Sequence, residues 1–175
     1  MIKLTEGIYI EENGAYQLDC SAALWSTDQI YKLFHSAGTF LSDADFVAET
    51  AEFLVLIEYK NANIPDAANP KGFNPSSPKK IDNIARKFYD SLHYLSLETK
   101  NKPVRYVYIV EYPNAGVTDR KMLRNVIANR LPFKMQLGKP GKLIDNFEVL
   151  SISEWNTHVD YSAFPLTPVM HGEAS

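Results

Sequence analysis

The clearest pattern along the chain is a run of apolar residues at helical spacing that lies, in sequence, between two apolar segments typical of strands. Residues 53–57 are apolar without interruption, and residues 104–111 are rich in β-branched and aromatic side chains, as strands buried on both faces are. Ser77-Pro78 is a favourable helix start, and apolar residues then recur at helical spacing through about Leu97. The stripe consists of Ile81, Ile84, Ala85, Phe88, Leu92 and Leu95.

Weaker patterns predict further elements on both sides of this centre. Asn13-Gly14 is a strong hairpin-turn signal, because both residues tolerate positive φ, and it predicts a hairpin over residues 5–19. A helix is expected from Ser26, which can form a capping box with Gln29, to Gly38. A third helix is expected from Thr118 to about Arg130, and a last strand over residues 147–152. The side chains expected to face inward are Ile30, Tyr31, Phe34 and Ala37 in the first helix, and Leu123, Val126 and Ile127 in the third.

The order of these elements predicts the fold class. Hairpin, helix, hairpin, helix, strand, helix and strand indicate an α/β three-layer sandwich, with a mixed central sheet flanked by helices on both faces. The chain has 175 residues, which suits one domain spanning residues 1–175. Residues 61–78 hold four prolines and a glycine, and predict a long loop that either covers an adjacent site or is disordered.

Composition limits the class of protein. No stretch approaches the length of apolar sequence that a membrane span requires, and the N-terminal residues do not resemble a signal peptide. The single cysteine, Cys20, cannot form an internal disulfide and suits a reducing compartment. A cytoplasmic location without membrane association is therefore expected.

The net charge of −3 conceals a strong asymmetry along the chain. Residues 1–60 hold 3 basic and 10 acidic side chains, whereas residues 117–142 hold 7 basic and 1 acidic. Local positive potential is what a phosphate-binding surface needs. The candidates are Arg120, Lys121 and Arg124, predicted on one outer face of the third helix, with Lys79 and Lys80 at the start of the second. An ordinary solvated helix face is the competing interpretation.

The second hairpin combines two acids and a lysine. Side chains alternate along a strand, so Glu58 and Lys60 share a face at the end of the apolar strand. If residues 45–49 pair antiparallel with this strand, Asp45 lies opposite Leu56 in one register and opposite Glu58 in another, and both registers keep it on the face of Glu58. Two close carboxylates require a raised pKa or a bound cation, and oxygen ligands favour a hard ion such as Mg²⁺.

This constellation resembles the PD-(D/E)XK nuclease superfamily, which has the restriction-endonuclease-like fold. The resemblance implies that Asp45 and Glu58, with the backbone carbonyl near Tyr59, bind Mg²⁺ or alternatively Mn²⁺, and that Lys60 helps to activate water. Asp43 is a substitute for the first acid. Glu6, Glu11, Glu12 and Asp19 are candidates for an additional acid from the N-terminal element.

The implied function is metal-dependent hydrolysis of nucleic-acid phosphodiester bonds, with DNA favoured over RNA, by a chain that can form a homodimer. The Glu-x-Lys motif alone carries no weight, because Glu98-Thr99-Lys100 repeats it after a helix, with no apolar strand and no upstream acid in hairpin range. Two alternatives remain open: a catalytically inactive nuclease-fold module that binds nucleic acid or a protein partner, and a simple ion pair between Glu58 and Lys60.

Overall fold

A computed structural model of the chain describes residues 6–64 and 72–170. These residues form eight strands and four helices. The strands are β1 (Ile8–Ile10), β2 (Tyr16–Asp19), β3 (Trp25–Thr27), β4 (Phe46–Glu49), β5 (Leu54–Asn61), β6 (Val104–Glu111), β7 (Asn146–Leu150) and β8 (Leu166–Pro168). The helices are α1 (Ile30–Ser36), α2 (Pro78–Leu97), α3 (Val117–Ala128) and α4 (Ile152–Thr157).

The central sheet has five strands in the order β3-β4-β5-β6-β7. Pairing is antiparallel from β3 to β5 and parallel from β5 to β7, so the predicted mixed sheet of an α/β protein is confirmed. The two parallel connections run through α2 and α3, and both advance in the same direction across the sheet. Because such crossovers are right-handed, both helices lie on the same face, where they pack on Leu54, Leu56 and Tyr106.

The opposite face is covered mainly by a second sheet. Strands β1, β2 and β8 form an antiparallel three-stranded sheet in the order β1-β2-β8, and its Leu18 and Leu166 pack against Val55 and Ile57 of the central sheet. The short helix α4 adds Trp155 to the same core. Helices on both faces were predicted, but on this face α4 is the only helix within the described residues that contributes to the core. The segment that follows α4 supplies β8, which pairs with β2.

The central elements of the pattern are placed as predicted. Helix α2 begins at Pro78 and ends at Leu97, β6 spans Val104–Glu111, and the first hairpin turns with Gly14 at φ +72°. Helix α3 begins one residue earlier than expected, after Gly116, whose N–H donates to the carboxylate of Asp119. No helix in the part of the chain that the structure describes is both long and apolar enough to cross a membrane.

Several details of the prediction are wrong. Ser26 does not cap α1, because it belongs to the edge strand β3 and the helix begins at Ile30. Tyr31 is 59% exposed and Val126 is also exposed, although both were expected to face inward. Of the loop predicted over residues 61–78, residues 65–71 lie outside the described residues.

Candidate functional site

The β4–β5 hairpin brings the two predicted acids together. Its register pairs Phe46 with Ile57 and Glu49 with Leu54, so the position before β4 places Asp45 directly opposite Glu58. This is the second of the two registers considered from the sequence. Residues directly opposite in an antiparallel pair have Cβ atoms about 4.5–5.5 Å apart, so the two carboxylates belong to one site.

Helix α2 and strand β5 fix the segment that carries the first acid. Asp90 of α2 accepts a hydrogen bond from the Ser42 N–H at 2.8 Å, and the buried Ser91 hydroxyl accepts one from the Ala44 N–H at 2.9 Å. Asp45 itself accepts a hydrogen bond through Oδ2 from the Tyr59 N–H at 2.8 Å. Hydrogen bonds to α2 therefore fix the segment just before β4, and the hydrogen bond from β5 orients the Asp45 carboxylate.

Glu58 pairs with a lysine that the sequence analysis did not select. Its carboxylate is 5% exposed, and Oε1 accepts a hydrogen bond from Lys87 Nζ of α2 at 2.5 Å. The other oxygen, Oε2, is buried and has no hydrogen-bond partner among the described residues. Glu58 is therefore not engaged in a simple ion pair with Lys60, which was one of the alternatives.

Burial dominates the electrostatics of both carboxylates. It raises the pKa of Asp45 to about 6, against the lowering effects of Lys87 and of the hydrogen bond from Tyr59. Burial and the nearby Asp45 charge raise the pKa of Glu58, which Lys87 only partly offsets. Desolvation likewise raises the pKa of Asp43. Acids that resist ionisation in this way are the expected consequence of crowding carboxylates in a site of low polarity.

A cavity of about 610 Å³ opens beside these residues. Asp43, Asp45, Lys60 and Lys87 line it, and Tyr59 contributes to the same wall. Lys60 is exposed and has no ion-pair or hydrogen-bond partner within residues 6–64 and 72–170. Glu58 does not line the cavity. Of the three predicted catalytic residues, only Asp45 and Lys60 therefore face it.

The rim of this cavity is acidic. Glu11 and Glu12 from the turn of the first hairpin line it, as does Asp28 between β3 and α1, which gives five carboxylates against two lysines. Glu11 is already used locally, because its carboxylate accepts hydrogen bonds from the Asn13 and Ala15 N–H groups. A cation is therefore attracted to this cavity, whereas an unscreened phosphate is repelled from its rim.

The donors present fit a hard divalent ion. The buried, unpartnered Oε2 of Glu58 lacks the hydrogen bond or charge that a carboxylate oxygen normally finds, and the Asp45 carboxylate lies on the adjacent strand. No group of three or more acidic, histidine or cysteine side chains arranged to hold a metal occurs in the described residues. The protein donor set would therefore be two carboxylates and a backbone carbonyl such as that of Tyr59, with water completing the shell.

Of the five predicted phosphate contacts, the three on α3 do not share one outer face. Arg120 is only 7% exposed, and its guanidinium binds both oxygens of Glu154 at 2.9 and 3.0 Å, so its assignment to an outer face is wrong. Arg124 donates to the Phe147 carbonyl at 3.0 Å. Lys121 is exposed on the same helix. On α2, Lys79 is exposed and Lys80 lies 4.1 Å from the centre of the Phe73 ring.

One sequence signal could have identified Lys87. It lies three residues after Ile84 and four before the buried Ser91, at the edge of the apolar stripe of α2, where a solvated lysine is not expected. The sequence analysis selected Lys79 and Lys80 from this helix and did not select Lys87.

Comparison of the chain with family models, with curated proteins and with solved structures gave no significant match.

Proposed function

We propose that this chain is a metal-dependent nuclease that hydrolyses phosphodiester bonds, with DNA as the favoured substrate and Mg²⁺ or Mn²⁺ as the ion. The proposal includes the restriction-endonuclease-like fold as its finer classification, and a homodimer as an assembly compatible with it. The mixed sheet agrees with this classification, since the antiparallel β4–β5 hairpin is followed by a parallel crossover through α2 to β6.

One observation carries the proposal. Asp45 lies directly opposite Glu58 on neighbouring strands, and one oxygen of the buried Glu58 has no partner among the described residues. A pair of buried carboxylates is costly to a folded protein unless a cation compensates it. Such a pair next to a cavity with an exposed lysine is better explained by a metal-assisted reaction than by stability.

Each residue of the site has a distinct part. Asp45 and Glu58 would hold a Mg²⁺ ion, which would supply a coordinated water of lowered pKa and stabilisation of the charge that develops on phosphoryl oxygens. The hydrogen bond from the Tyr59 N–H keeps the Asp45 carboxylate oriented. Lys60 extends from the same strand into the cavity, where its ammonium group positions the attacking water and interacts with the developing negative charge.

Two observations favour the alternative of an inactive nuclease-fold module. The Lys87–Glu58 ion pair already compensates one carboxylate, and the acidic rim disfavours the approach of a polyanion. In such a module the basic residues outside the cavity, Lys79, Lys80, Lys121 and Arg124, would bind nucleic acid without cleavage. Arg120 is not available for this role because Glu154 occupies it.

Cleavage of labelled duplex DNA and of matched RNA, in Mg²⁺ or Mn²⁺, separates the two functions. The nuclease predicts metal-dependent cleavage that Asp45→Ala, Glu58→Ala and Lys60→Met each reduce by about a hundredfold or more. The matched controls, Asp82→Asn and Lys32→Met, change exposed side chains outside the cavity and should retain activity. A wild-type chain that binds DNA without cutting it in either metal would contradict the nuclease and support the module.

A further inference from the structure

Lys87 lies at the site but has no role in the proposed mechanism. It extends from the middle of α2, and its Nζ lies 2.5 Å from Glu58 Oε1. The Lys87 side chain is 21% exposed and that of Glu58 is 6% exposed. Lys87 lines the cavity, whereas Glu58 does not. The ammonium group therefore separates the Glu58 carboxylate from the cavity through which an ion would enter.

The charge of Lys87 balances the same carboxylates that a metal would need. Its ammonium group is attracted by the negative charges of Glu58, Asp45 and Asp43. A cation beside clustered, poorly solvated carboxylates offsets their mutual repulsion. A divalent ion on these carboxylates would be repelled by an ammonium group in the same site, because charges interact strongly where water is scarce. The two cations therefore compete.

The geometry indicates which of the groups moves. Asp45 is fixed by the hydrogen bond from the Tyr59 N–H, and Glu58 is buried within β5. The remaining oxygen of Glu58 is buried and has no hydrogen-bond partner among the described residues, so Lys87 is the cation that contacts this carboxylate. Lys87 instead carries its charge on a flexible four-carbon chain at the cavity wall. Of the three charged groups, the ammonium group of Lys87 is therefore the one that is free to move into the cavity.

We propose that Lys87 is an exchangeable internal counter-cation of the Asp45–Glu58 pair. Without metal it neutralises Glu58; a divalent ion displaces it, and its ammonium group then faces the cavity, where it meets an anionic group such as a phosphate. Lys87 is thus a positioning residue that couples metal binding to the charge of the cavity. This inference rests on the metal site of the proposed function and not on cleavage.

Binding of Mn²⁺ to the full chain, measured by calorimetry, tests the competition. Lys87→Met removes the competing charge, and the affinity for Mn²⁺ should rise by about tenfold or more. Lys60→Met is the matched control, since it removes the same charge from the same cavity without contact to Glu58, and it should change the affinity by less than about threefold. If Lys87→Met binds Mn²⁺ no more tightly than Lys60→Met, the exchange does not occur.

Thermal unfolding gives a second measurement that remains informative if Lys87→Met folds poorly. Without metal, the variant leaves Glu58 unpaired and should melt below the wild type. Mn²⁺ should then raise its melting temperature by more than it raises that of the wild type. A variant that stays unfolded in saturating Mn²⁺, or that gains less than the wild type, overturns the inference.

The outcomes for the exchange and for the nuclease can be distinguished. Tighter Mn²⁺ binding by Lys87→Met without cleavage of DNA or RNA by the wild type refutes the nuclease and retains the exchange. Cleavage by the wild type with no gain in Mn²⁺ affinity for Lys87→Met refutes the exchange alone. If neither chain binds Mn²⁺, both proposals fail.

Discussion

Substitution of Asp45 by asparagine should make the folded protein more stable at neutral and alkaline pH. Burial raises the pKa of this carboxyl from 3.8 to about 6, so the charged form is less favourable in the folded chain than in the unfolded chain. A pKa difference of about 2, at about 1.36 kcal/mol for each unit, corresponds to about 3 kcal/mol. Because the side chain is only partly buried and lines a cavity, the expected gain is about 1–2 kcal/mol.

The sign of the pH dependence follows from linkage. Between about pH 4 and pH 6 the folded chain binds more protons than the unfolded chain at Asp45, so the stability of the wild type falls as the pH rises through this window. The gain from Asp45→Asn should therefore be small near pH 4 and complete near pH 8. Asparagine keeps an oxygen that accepts the hydrogen bond from the Tyr59 N–H, so the hairpin geometry is retained.

Urea unfolding of wild type and variant at both pH values measures this difference. Asp82→Asn is the matched control, since it removes an acid that is 64% exposed outside the cavity, and its effect should not follow this pH dependence. Excess Mg²⁺ should stabilise the wild type and not Asp45→Asn, because the variant lacks the carboxylate charge that is proposed to bind the ion. A variant less stable than the wild type at about pH 8, or a gain that is equal at both pH values, would refute this account of the site.

Three further predictions concern the surroundings of the site. Affinity for Mn²⁺ should increase as the pH rises through about 6, since protons compete for Asp45, and calorimetry at several pH values checks this. Ser91→Ala removes the acceptor of the Ala44 N–H and should cost about 1–2 kcal/mol in urea unfolding, with weaker Mn²⁺ binding; unchanged stability would contradict the positioning role of α2. Arg120→Ala leaves Glu154 without its bidentate partner and should lower the free energy of unfolding by about 2–3 kcal/mol. It should not weaken DNA binding in a filter-binding assay in which Lys121→Ala is the comparison.

Local patterns in the sequence were sufficient to predict the helices and strands whose formation depends on residues close together along the chain. The Ser77-Pro78 start and apolar stripe of α2 and the β-branched run of β6 predicted those elements at their observed positions. The alternation along β5 placed Asp45 and Glu58 on one face in either register, because a strand has a period of two. The sequence alone therefore determined the α/β class, the central hairpin and the shared face of the two acids, whereas the register that places Asp45 directly opposite Glu58 came from the structure.

Only the tertiary structure shows which segments pack on each face of the central sheet and which charged side chains are paired. Nothing local to β1, β2 and β8 shows that they form a second sheet, since that pairing joins segments about 150 residues apart. Lys87 and Arg120 each occur among other basic residues in a helix, yet they are paired with Glu58 and Glu154. Whether a charged side chain meets water or a partner depends on which distant segment packs over it, and side-chain periodicity along one helix does not contain that information.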